Sequence, residues 1–436
     1  MAIFMAFLMV LQSDKTDDKE PATSGKYQPR AEFRLPLALD GDVPVDHDVV
    51  TGWTTSIEQL ALYGADQLIL GRFPEKQSAF ERTFRLLGAH MALVAWDVPI
   101  EATAINYGYR QVYSGVGLGN FRLYNHNDIT EDHPQSLGQT WTRMWSASVG
   151  GDRWDMSPSR DEWITKFWTD PDLVAHQNEV FAQAEAAGVN QIVQNMSFID
   201  HKVMMGHGHP LDLAQYIAGW IAMNWSAYQM NEDIDDYVRD IGFLGVKTTS
   251  SRVRLALNLP RVFSATTASL VVSNFFYAST GVKLVERPLE VAITDDLSWY
   301  PWPILDGRLS IEGGPTFRLQ ELVTLGNHAF TFSLENGLAE SSVEVGFGWQ
   351  GQIFKDLLYG EARWLHNFSS GGNWLEFGPM FSFKRLGMPG LSIGILGYVG
   401  TDYTIERDCR GHEPSYLSGN ETEGGAKLIF QYSVSF

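Results

Sequence analysis

Between Ala426 and Phe436 an apolar residue stands at every second position. Ala426, Leu428, Phe430, Tyr432, Val434 and Phe436 alternate with a set that includes Lys427, Gln431, Ser433 and Ser435. A period of two puts alternate side chains on opposite faces of a strand, one apolar and one mostly polar. Such a strand must find a sheet, and its terminal aromatic would meet water if the end frayed. A strand that crosses a membrane in a barrel needs about 9–11 residues, with aromatics at the lipid–water interface. The segment has that length and that chemistry.

The segment resembles the closing strand of bacterial outer-membrane β-barrel proteins, which carries alternating apolar residues and a terminal Phe. The resemblance implies that Phe430, Tyr432, Val434 and Phe436 form a membrane-insertion signal read by barrel-assembly machinery. It also implies contacts with outer-membrane lipid or lipopolysaccharide.

Strand signals extend well upstream of this segment. Val343, Val345, Phe347 and Trp349 alternate with Glu344, Gly346 and Gly348, and turn-forming clusters such as Ser369-Ser370-Gly371-Gly372 and Met388-Pro389-Gly390 separate further runs. Aromatics make up 13% of the chain, a content that suits a sheet wall with aromatic girdles. Trp299, Tyr300 and Trp302, interleaved with Pro301 and Pro303, are the candidate interface aromatics. The expected fold class is α+β: an N-terminal helical domain, then a C-terminal antiparallel up-and-down transmembrane β-barrel of about 8–12 strands. The expected boundaries are a signal-like start and polar linker (1–30), a helical domain (31–250) and the barrel (251–436), with the transition open between 250 and 282. Within that transition Val253, Leu255, Leu257 and Leu259 alternate like a strand, and 262–278 reads as a buried helix or a long strand.

Before residue 250 helical spacing dominates. Phe80, Phe84, Leu87, Met91 and Val94 form an amphipathic stripe. Pro99 is read as an interruption and Gly188 as a break between two helices. This half has a second resemblance, to bacterial outer-membrane proteins that place a zincin-like helical domain before a barrel. There a helix carries H-E-x-x-G-H, and a later helix begins near A-G-x-N. Here Gly108 and Ala187-Gly188-Val189-Asn190 match, whereas Ala104, Ile105 and Tyr109 stand where His, Glu and His belong. The resemblance therefore implies a relative without the metal centre, and it transfers no catalytic residue.

The candidate metal residues are His201, His207 and His209, grouped around Met204 and Met205. Their spacing is not a standard zinc pattern, and the plainer alternative is a turn whose histidines cap helix ends. His90, Asp97 and Glu101 are a candidate acid–base group, read alternatively as structural. Asn231 to Asp236 is an acid-rich helix start favoured by the helix dipole, without the central Gly of a calcium loop. The sequence has no H-E-x-x-H, G-x-S-x-G or P-loop motif. Cys409 is the single cysteine, so no internal disulfide forms.

A net charge of −20, most of it before residue 251, argues against nucleic acid as a partner. Met1 to Leu11 is apolar and too short to span a bilayer as a helix. These observations lead to the expectation of an outer-membrane-anchored structural or interaction protein. Its helical domain, on the periplasmic side, would bind or brace a protein partner, with no cofactor and no catalytic residue. The alternatives are a metal-dependent hydrolase drawing on His90, Glu101, His201, His207 or His209, and a small channel or transporter.

Overall fold

The computed structural model describes residues 28–38, 47–71, 74–115, 121–125, 154–158, 177–225, 230–401 except 288, 312, 341, 370 and 389, and 422–436. Met1 to Leu11 and Cys409 lie outside the described residues. The dominant element is a ten-stranded antiparallel sheet in the order β1-β12-β11-β10-β9-β8-β7-β6-β5-β4. Its strands are β1 (Arg30–Ala38), β4 (Val291–Ala292), β5 (Leu297–Ser310), β6 (Gly314–Leu325), β7 (His328–Gly337), β8 (Val343–Phe354), β9 (Leu358–Asn367), β10 (Asn373–Ser382), β11 (Leu391–Thr401) and β12 (Thr422–Ser435). From β5 to β12 each strand pairs with the next in sequence, as expected of an up-and-down meander. A separate pair, β2 (Phe121–Asn125) and β3 (Trp154–Pro158), forms a small ribbon.

The cross-strand register segregates the side chains sharply. Phe332, Phe347, Trp364, Leu375 and Val399 lie in one row across β7 to β11, and all five are exposed. The opposite face carries the row Asp306, Arg318, Glu335 and Glu344, all buried. Every Lys, Arg, Asp and Glu position in the strands of this ten-stranded sheet falls on this second face, except Glu321. An antiparallel sheet with one face in water has the reverse pattern, apolar toward the core and polar toward solvent.

The charged face is concave. Arg34 on β1 bonds Glu361 on β9 at 2.7 Å, although β12, β11 and β10 lie between them. A flat sheet would hold the two backbones roughly 19 Å apart, beyond the combined reach of the side chains. Into the concavity run α3 (Gln177–Met204) and the start of α4 (Asp212–Trp225). Arg318, held by Asp306, donates to Ser197 Oγ on α3 at 3.3 Å. Met204 packs with Tyr300, Ile304, Leu322 and Ala329.

The sheet does not close into the expected barrel, because helices take up the hydrogen-bonding groups of both edges. On the β1 side, α1 (His47–Ala65) runs alongside the strand. Ser56 Oγ accepts from Arg34 N at 3.2 Å, and Gln59 Oε1 accepts from Glu32 N at 3.3 Å. On the β5 side, the Asn190 amide of α3 grips Leu309 twice, accepting from its N–H at 2.9 Å and donating to its carbonyl at 2.7 Å. Ser264 Oγ accepts from Leu305 N, between α6 (Ser250–Val262) and α7 (Ala265–Thr280). Gly307 is required here, since a Cβ would overlap Ala256 O where α6 crosses β5. The helix α2 (Ala79–Gly115) bridges the remaining gap: α1 packs on β1 and α2, α2 on α7, and α6 and α7 on β5. The ring thus consists of ten strands and four helices around α3 and α4, with α5 (Met230–Phe243) packed on α3 and α6.

Three local readings change. Residues 250–280, expected to be strand in part, form α6 and α7, and strand pairing starts at Val291. Arg30–Ala38, within the segment expected to be helical, is a strand of the main sheet. Neither Pro99 nor Gly188 ends a helix, since α2 and α3 run through them.

Candidate functional site

The richest concentration of ionisable and amide side chains lies where α1, α2, α3 and α4 meet the β1 edge. Its centre is Lys202 near the end of α3, fully buried, with Nζ 2.7 Å from Asp212 Oδ1. Asp212 opens α4, and its Oδ2 accepts the His209 backbone N–H at 2.6 Å, so one carboxylate caps the helix and neutralises the lysine. Gln59 ties the pair to the sheet. Its Oε1 accepts from Lys202 Nζ at 2.8 Å and from Glu32 N, while its Nε2 donates to Gln215 Oε1 at 2.8 Å and Asp212 Oδ1 at 3.2 Å. Gln215 Nε2 then donates to Glu58. A second cluster continues from it, with Asn195 Nδ2 donating to Glu101 Oε2 at 2.7 Å and Asn195 Oδ1 accepting from Thr54 at 3.2 Å.

The three candidate metal histidines turn in different directions. His207 Nδ1 pairs with Glu32 of β1. His209 is fully buried, with Nε2 3.2 Å from Asp66 Oδ1, and Lys283 Nζ lies 2.7 Å from the same oxygen. Because Nδ1 of His209 accepts the Leu211 N–H at 3.2 Å, its proton belongs on Nε2, facing Asp66. Burial disfavours the imidazolium and lowers the His209 pKa below its ordinary value, although Asp66 pulls the other way. His201 is exposed toward the concavity, where Glu32, Arg34 and Glu361 set its surroundings. Among the described residues no group of three or more His, Cys, Asp or Glu side chains is arranged to hold a metal ion.

Of the acid–base candidates only His90 turns away; Asp97 and Glu101 stay together, one turn apart on α2 and both buried, and interact electrostatically with each other and with Glu58. His90 Nε2 meets Asn274 Oδ1 at 2.7 Å, whereas Glu101 joins Asn195, and Asp97 is buried. The two stretches compared with zincin-like domains do touch: a Cβ at Gly108 would overlap Ala187 O and crowd Gly188. That contact is a close helix crossing, with Ala104 and Ile105 buried beside it. Of the candidate interface aromatics, Trp299 is exposed and donates to Glu321 at 3.3 Å. Tyr300 is buried under the Arg287 guanidinium, 4.6 Å from its ring centroid, and Trp302 donates to Phe263 O at 2.9 Å. Phe430 stays half-buried on the apolar side of β12. Tyr432 and Val434 pack with Ala31 and Phe33, and the Phe436 ring lies 4.2 Å from His209 and 5.8 Å from Tyr63.

Sequence reasoning missed Gln59, Lys202, Asp212 and Asn190. A signal was present: Thr54, Thr55, Ser56, Glu58 and Gln59 all fall between Trp53 and Leu60, and it is these polar residues that are buried. Chemically, much of the network is closed, with Lys202 meeting Asp212 and Gln59, whereas Glu58, Asp97 and Glu101 bring three buried carboxylates together. Its more open part is the concave cluster of His201, His207–Glu32 and Arg34–Glu361. The chain matches no protein-family model, no curated protein and no solved structure.

Proposed function

We propose that this chain is an integral outer-membrane protein acting as an anchored scaffold, with the apolar face of its sheet against lipid. The observation that carries this reading is the inverted sheet, with its charges on the concave face and its outward rows mostly apolar, Glu321 being the outward carboxylate and His328, Asn336, His366 and Asn373 standing at strand ends. Lipid-facing apolar and inward-facing polar residues alternate along the strands of transmembrane sheets. In this reading Phe430, Tyr432, Val434 and Phe436 first serve the assembly machinery and then pack in the finished fold.

A scaffold is favoured over a conduit because α3 and α4 occupy the concavity and its charges are engaged, as in Arg34–Glu361 and Asp306–Arg318. It is favoured over a hydrolase because His90, His201, His207 and His209 diverge. The half-exposed Arg34, Glu361 and His207 and the exposed His201 give a protein partner its polar contacts. The test is fractionation of the native protein, followed by extraction and co-purification. We expect the chain in the outer-membrane fraction, soluble only with detergent, and accompanied by a stoichiometric protein. Release into buffer without detergent overturns the membrane reading. Steady ion conductance in a planar bilayer overturns the scaffold.

A further inference from the structure

We infer that the helices closing the ring, and not the sheet alone, lie against the acyl chains of the bilayer. This rests on the membrane reading of the sheet, and it replaces the expected periplasmic helical domain with a helical seam at bilayer depth. The helices are built inside-out in the same sense as the strands. On α1 the exposed large residues are Trp53, Ile57, Leu60 and, just beyond the helix, Leu68, whereas Glu58, Gln59 and Asp66 are buried. On α2 Phe80 is 83% exposed, Phe84 72% and Met91 74%, and Leu87 and Trp96 continue the stripe. The described charged side chains of α2 lie off this stripe. Arg82 is buried, donating to the carbonyls of Ala278 and Gln77. Asp97 and Glu101 are buried, and the half-exposed Glu81 and Arg85 pair at the helix start. The helix α7 has no charged residue and exposes Val272, Phe275 and Phe276 while burying Thr266, Ser269 and Ser273. On α6 Leu255, Leu259 and Val262 are exposed and Arg261 is buried.

Three further observations select lipid as the occupant. First, the stripes continue the apolar face of the sheet, because α1 lies along β1 and α6 and α7 along β5. Second, from Ala79 to Trp96 the stripe on α2 rises about 26 Å, close to a hydrocarbon core of about 30 Å. Third, α6 and α7, bent by 48° between them, together have the length and apolar composition of a broken span, which suits a place beside lipid although no single described helix has them. A water-facing helix of a soluble domain has charged residues where these have Phe, Leu and Val.

The test uses the full chain with Cys409→Ser and one new cysteine carrying an NBD fluorophore, at Phe84→Cys, Phe275→Cys or Phe347→Cys. Each variant is folded into phosphatidylcholine vesicles with or without lipid bearing a mid-chain doxyl group, and iodide serves as the aqueous quencher. Leu87→Cys and Val272→Cys are second sites should a label block insertion. We expect doxyl quenching at the helix positions within about twofold of that at Phe347→Cys, and little quenching by iodide. Doxyl quenching at Phe347→Cys alone, with iodide reaching the helix labels, places the helices in water and overturns the inference while the membrane reading stands. Helix labels quenched by neither agent mean that protein, a second copy or a partner, covers the stripes, which also overturns it. Loss of doxyl quenching at Phe347→Cys removes the membrane reading and the inference together.

Discussion

Lys202 shows how much one side chain can commit a fold to. Its ammonium is fully buried and is held by Asp212 and Gln59. Removing one partner of a buried pair costs about 3–5 kcal/mol, because the remaining charge is left uncompensated. Lys202→Met should therefore lower unfolding stability by about that amount, measured by denaturant titration. The double variant Lys202→Met, Asp212→Leu should recover most of the loss. If the double variant falls as far as the single one, the pair is not the source of the effect. At this scale the sequence was least legible. Lys202 and Asp212 are ten positions apart and Gln59 lies far upstream, so only the packing of three helices shows that they meet. The histidines stood out because imidazole is a familiar ligand, yet His207 and His209 are spoken for by Glu32 and Asp66.

Among the elements, the strands were read well and the helices unevenly, for one reason. The run Val343 to Trp349 alternates because one face meets charge and the other does not, and period two survives intact. On α6 Val253 and Leu257 face the core while Leu255 and Leu259 face outward. With apolar residues on both sides the 3.6 period disappears, and what remains mimics a strand. The stripe from Phe80 to Met91 identified a helix correctly but lies on its exposed side. The edge caps were invisible in sequence, since an Asn inside a helix announces nothing about a strand more than a hundred residues away. Asn190→Leu should remove the amide that bonds the N–H and C=O of Leu309, at a cost of about 1–3 kcal/mol. Hydrogen exchange at Leu309 should accelerate accordingly, and an unchanged rate would show that the amide does not guard the edge.

For the molecule as a whole, the solvent on the outside decides which substitutions matter. Phe347 lies mid-row on the apolar face and touches no charged partner across the strands, with Phe332 and Trp364 opposite it. In a bilayer, Phe347→Arg should destabilise by about 2–4 kcal/mol when folding into lipid vesicles is titrated with urea. A change within ±0.5 kcal/mol, the range of ordinary surface substitutions, would say that this face meets water. The helix-then-strand order and a strand number of ten were within the sequence's reach. The ring was not, because its closure depends on β1 leaving the helical half to join β12. That pairing also sets an order of events in time. Arg30 faces Ser435 and Ala38 faces Lys427, so almost the whole chain is the loop that this one ladder must close. The β1–β12 ladder cannot begin until the closing strand exists, while the hairpins from β5 to β9 can already form. Until then the first strand has none of the partners it pairs with in the finished sheet, so the ring is sealed as a last step.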